Sequence, residues 1–232
     1  MRRFSLALLT LMFGAGTVNA QMPRRPSAYT NNPDYWITVG VAGFQPNVVN
    51  DGVTASKWNF GNSTDFQYRG SIEKGGSNGA SFGLSGGWAH VPFVYSSTGV
   101  PIGPTSGIQC ASCDAHLDMM TLVATFHSGA GVGFHQVLEL NGGVVAYRNL
   151  KRDSDGAKLA PSGGNIDPLF ALAYGFGYGL SDRTNLDLIW DYFAFAIHER
   201  KGLSNGTSNT NRMPGLRLSL RMGFGGSAAR RK

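Results

Sequence analysis

The chain has 232 residues, 33 of them glycine, an 11% aromatic share and a formal charge of +6. This composition suits one all-β domain of many strands and turns rather than a helical or multi-domain protein. The positive excess sits at the ends, in Arg2, Arg3, Arg24, Arg25, Arg230, Arg231 and Lys232; the body between is close to neutral, which excludes the basic face that nucleic-acid binding requires.

Residues 1–20 carry Arg2 and Arg3, an apolar run from Phe4 to Phe13, and small residues Val18 and Ala20 around Asn19 at the end. They read as a secretory signal, set apart from the fold. No Cys follows that run to take a lipid anchor, and no later stretch has the roughly 20 apolar residues of a membrane helix. Residues 21–33 form a polar Pro/Asn segment. Barrel strands are expected across 34–224, followed by a basic tail at 225–232.

Alternating side chains mark eight strands. The first spans 34–45. In the second, 64–74, Phe66, Tyr68 and Ile72 oppose Gln67, Arg69, Ser71 and Glu73. The third, 80–95, sets Phe82, Leu84 and Trp88 against Ser81, Gly83 and Ser85. A fourth, 115–127, alternates poorly and its faces stay unassigned. The fifth, 132–148, sets Phe134, Leu138 and Leu140 against His135, Glu139 and Asn141.

The clearest pattern follows in 166–198. Phe170, Leu172, Tyr174, Phe176, Tyr178 and Leu180 alternate with Ala171, Ala173, Gly175, Gly177 and Gly179. After a polar turn, Leu186, Leu188, Trp190 and Tyr192 continue the large face, while Asp187 and Asp191 fall on the other. Facing residues of an antiparallel pair share a face, so this hairpin takes a three- or five-residue loop around Ser181-Asp182-Arg183, or a two-residue turn with a bulge. The five-residue form would set Phe176 against Trp190 and Tyr174 against Tyr192. An eighth strand, 215–224, sets Leu216, Leu218, Leu220, Met222 and Phe224 against Arg217, Ser219 and Arg221.

Large apolar residues on one face and small or charged ones on the other fit a barrel with lipid outside and polar side chains inside, the reverse of a soluble lipocalin-like barrel. Connections after the second, fourth and sixth strands are short and the others long, the alternation of periplasmic turns and extracellular loops. The stretches GFGYGLSDRTNLDLIWDY (175–192) and PGLRLSLRMGF (214–224) resemble the small outer-membrane β-barrel proteins of the OmpA/OmpX-type superfamily, although this chain continues past the final aromatic Phe224. The resemblance implies an eight-stranded antiparallel up-and-down transmembrane barrel in the bacterial outer membrane. Its expected partners are outer-membrane lipid and lipopolysaccharide together with the barrel assembly machinery. A monomer without cofactors or nucleic acid is expected.

Inward charges are the main candidate residues. One register places Asp187 opposite Arg221 and Asp191 opposite Arg217, and with Arg69, Glu73 and Glu139 they form a polar lumen. Eight strands enclose room for side chains only, so a salt-bridged plug is expected rather than an ion path. Cys110 and Cys113 lie in a long loop, where export favours a disulfide; two thiolates with Asp114 and His116 are the competing metal-site reading. His90, His127 and His135 read as ordinary polar positions.

The segment from Ile197 to Leu216 is similar to the end of the lipid A 3-O-deacylase family, with Ser204-Asn205 matching its Ser-Asn pair. There Ser is the nucleophile and His the base. Gly202 stands where that motif has His, His198 is displaced, and no Asp or Glu follows Glu199. The expected function is therefore non-enzymatic: a barrel with a filled lumen, acting structurally or through its long loops as a surface binding protein, with a deacylase-like enzyme using Ser204 and His198 as the alternative.

Overall fold

A computed structural model describes residues 33–226 apart from 52–53, 62–63, 77–78, 98–106, 163–164 and 198–209. The strands are β1 (Tyr35–Phe44), β2 (Val49–Asp51), β3 (Ser56–Asn59), β4 (Asp65–Gly75), β5 (Ala80–Ser97), β6 (Cys113–Ser128), β7 (Gly133–Arg152), β8 (Asn165–Ser181), β9 (Thr184–Asp191), β10 (Phe195–Ile197), β11 (Thr210–Arg212) and β12 (Gly215–Phe224). Eight of them, β1, β4, β5, β6, β7, β8, β9 and β12, pair antiparallel in a ring that β1 and β12 close. A closed ring leaves no edge strand, which is what allows a sheet to stand in lipid.

Outward positions are apolar around the ring: Val39, Tyr68, Leu84, Leu140, Tyr178 and Leu188 are all exposed. Such a continuous belt is stable against hydrocarbon and not against water. The protein is thus a bilayer-spanning barrel of the outer-membrane kind. The short connections after β4, β6 and β8 lie at one rim, where Tyr35 and Phe224 also lie. That rim is periplasmic, and the longer connections lie at the extracellular one.

The extracellular wall is taller than alternation indicated. The β2–β3 hairpin, inside the first long connection, lays β3 alongside the upper part of β5, with Trp58 opposite Tyr95. Beyond a break at Tyr192–Ala194, β10 pairs with β8, and β11 pairs with β10. These four strands are too short for a period of two to register in sequence.

One open choice of register is decided and one expected register is corrected. In the hairpin of β8 and β9, Tyr174 faces Trp190 and Phe176 faces Leu188, the three-residue register. A bulge between Gly179 and Ser181 then narrows the turn itself to Asp182-Arg183. The five-residue form is excluded because Tyr192 leaves the ladder, its N–H donating back to the Trp190 carbonyl at 3.0 Å. Between β9 and β12, Asp187 faces Ser219, Asp191 faces Gly215 and Arg221 faces Asn185. The register that would set Asp187 against Arg221 and Asp191 against Arg217 is displaced by two residues. A slip of two preserves every face, so patterning is blind to it. What fixes the stagger is ring closure, since β12 must also pair with β1, Arg221 beside Thr38 and Arg217 beside Ala42.

Candidate functional site: the filled lumen

The periplasmic half of the interior is charged. Glu73 on β4 accepts hydrogen bonds from Ser71 at 2.6 Å, Ser81 at 2.5 Å and the Arg221 guanidinium at 2.9 Å. Arg221, fully buried, also donates to Ser81 and lies 4.2 Å above the Trp36 ring. The indole face and the carboxylate both favour the Arg221 charge, although only its Nη2 is hydrogen-bonded among the described residues.

Higher in the barrel, Glu139 on β7 accepts from Arg217 of β12 and faces His127 Nδ1 at 3.0 Å. The other ring nitrogen of His127 lies 2.8 Å from the Gly129 carbonyl. Both ring nitrogens of His127 thus have a partner on the lumen side. Asp191 lies 3.4 Å from Arg69 and 3.8 Å from Arg217, so it meets Arg217 on the diagonal rather than directly across the ladder. Asp187 has His135 Nε2 at 3.7 Å, while Arg221 bonds to Glu73 instead. Gly177 stands between His135 and Asp187 in the ladder, and a Cβ there would overlap both side chains.

The extracellular half is mainly apolar, with Asp51, Thr54, Ser56, Asp167 and Asn211 among its buried polar residues. Trp58, Phe60, Phe93, Leu117, Met119 and Tyr147 are the larger members of one buried cluster. Trp58 packs edge-on against Tyr147 with ring centroids 5.6 Å apart, and Phe60 lies 5.2 Å from Phe93. This plug was invisible to alternation, and it explains β6. Leu117, Met119 and Val123 point inward into the plug while Met120, Leu122 and Phe126 face outward, so both faces are apolar. Between the halves lies a cavity of about 40 Å³, bordered by Gln67, Arg69, Asn141 and Asp191 below and Met119 and Met213 above. That holds a few waters at most.

Cys110 and Cys113 are joined as a disulfide packed against the plug. The competing metal reading is not formed: His116 turns to Asp153, 2.6 Å from its Nδ1. Of the other histidines, His127 and His135 are lumen residues and His90 is on the outer wall. His198 and Ser204 lie outside the described residues, as do the signal segment and residues 227–232.

No family model matches this chain, and no curated protein matches it. Among solved structures it is similar to Neisserial surface protein A, at 11% identity and a TM-score of 0.47, over 82% of this chain and 97% of that one. It is also similar to the outer membrane protein OprG of Pseudomonas aeruginosa, at 13% identity and a TM-score of 0.44, over 83% and 97%. A third is the N-terminal β-barrel domain of Pseudomonas aeruginosa OprF, at 15% identity and a TM-score of 0.41, over 82% and 99%. At these identities the likeness concerns architecture.

Proposed function

We propose that this barrel is a closed outer-membrane protein that acts structurally or as a binding protein through its extracellular loops, not as a conduit and not as an enzyme. The observation that carries this reading is the doubly filled interior, a charged network below and an apolar plug above, with a cavity of only about 40 Å³ between them. An ion crossing it would have to break buried ion pairs and then enter an apolar plug, each step costing several kcal/mol. Lipid and lipopolysaccharide surround the belt, the barrel assembly machinery inserts it, and it works as a monomer without cofactors.

The test is reconstitution into planar bilayers. No stepwise single-channel current is expected, and reproducible discrete openings would overturn the reading. Lipid A from cells expressing the protein should keep its acyl pattern. Loss of an acyl chain that Ser204→Ala restores would establish the enzymatic alternative.

A further inference from the structure

On the outer surface of β5 and β6, just beyond Trp88 and Met120 where the apolar belt ends, stand two histidines with matching environments. His90 Nδ1 lies 3.1 Å from Asp118 Oδ1, and His116 Nδ1 lies 2.6 Å from Asp153 Oδ1. The two rings are neighbours, their centroids 4.9 Å apart. An imidazole whose Nδ1–H donates to a carboxylate is fixed in the tautomer that leaves the Nε2 lone pair free. This is the arrangement that orients histidine for a metal ion.

Both aspartates are themselves held, Asp118 through its carboxylate and Asp153 through its backbone. Asn149 donates to the second oxygen of Asp118 at 2.5 Å. Asn149 has φ of 53° and sits where β7 bulges against β6, between the His116–Lys151 and Asp118–Arg148 pairs. A non-glycine residue in the left-handed region within a bulge is a local cost, and it aims the amide at Asp118. Asp153 is tied down by its backbone N–H, which donates to the Asp114 carbonyl at 3.0 Å. The chain of support runs from the bulge to the amide, from the amide to a carboxylate, and from there to a ring.

We infer that His90 and His116 form a two-imidazole chelate on the extracellular surface for a divalent transition metal ion of the zinc, nickel or copper class, with Asp118, Asn149 and Asp153 as positioning residues. Imidazole nitrogen favours these ions, whereas calcium and magnesium need more oxygen donors. Among the described residues no three His, Cys, Asp or Glu groups form a closed ligand set, so the ion keeps positions open to solvent. Nothing in this inference depends on whether the lumen conducts or on what the loops bind.

The experiment uses the full, untagged chain folded in detergent micelles, with folding checked by its shifted gel migration when unheated. Calorimetric titration with zinc should give one ion per barrel. His90→Gln and His116→Gln should each weaken binding at least about tenfold, and Asp118→Asn, which keeps both rings, by about 10–100-fold. With copper, the paramagnetic resonance spectrum should show two coupled nitrogens in the parent and one in each histidine variant. Absence of zinc binding by the folded parent at millimolar concentration would overturn the site. So would a single tight site that both histidine variants retain, or an Asp118→Asn affinity equal to the parent's for the positioning role.

Discussion

One wall of eight strands encloses two interiors built on different physics. Below, most of the buried charged groups meet a partner: Glu73 with Arg221, Glu139 with Arg217, and Asp191 with Arg69 and Arg217, while His127 sits against Glu139 and Asp187 has only His135 at 3.7 Å. Above, Trp58, Phe93, Leu117 and Tyr147 pack as the core of a soluble domain would. The charged half is specific and unforgiving, because removing one partner strands another. The apolar half responds to lost volume and tolerates exchange among shapes that fill it.

The comparison breaks first at Glu139. Glu139→Gln leaves Arg217 and His127 without their shared carboxylate and should cost about 3–5 kcal/mol, read from urea unfolding in lipid or detergent. A loss below about 1 kcal/mol would mean that lumen water serves these side chains and that the half is not sealed. Leu117→Ala in the plug should cost about 3 kcal/mol by lost burial and a residual cavity. Because the two sites share no partner, the double variant should add the two losses to within about 0.5 kcal/mol. A larger deviation would join the halves into one unit.

The plug also carries a covalent staple. Replacing both Cys110 and Cys113 by Ala should cost at most about 2 kcal/mol, since the closed loop is short. Alkylation followed by mass spectrometry of exported protein should find neither thiol free. The smallest effect sharpens the register. A double-mutant cycle of Asp191→Asn with Arg217→Met should show coupling of about 1 kcal/mol. The cycle of Asp187→Asn with Arg221→Met should show none, and coupling there as large as in the first cycle would restore the register that sets both pairs face to face.

The strand positions were legible because lipid on one side and a narrow lumen on the other impose a strict period of two. Phe176 and Asp187 declare their faces unaided. Stagger was not legible: parity places Asp191 and Arg217 on one face without saying which rung each occupies, and the rung is set by closure of β1 on β12. Nor was Arg221's partner, for Glu73 lies 148 positions away on β4, a strand that β12 does not touch in the sheet. The plug was hidden because Leu117 and Met119 face inward beside outward Met120 and Leu122, which erases alternation where the interior turns apolar. The Ser-Asn pair at Ser204 attracted attention by resemblance, and its surroundings lie outside the described residues.

β12 brings both Arg217 and Arg221, the cations of Glu139 and Glu73, and it is the last strand of the ring in chain order. Until it docks, two inward carboxylates face an unclosed wall with their counter-charges still elsewhere. Any nascent barrel lacking this strand therefore pays an electrostatic penalty that docking removes at once, as the final hydrogen-bonded seam forms with β1. β12 thus supplies both the seam with β1 and the cations of the network. A chain cut short before Arg217 would lose one strand of wall and, with it, the keystone of its interior.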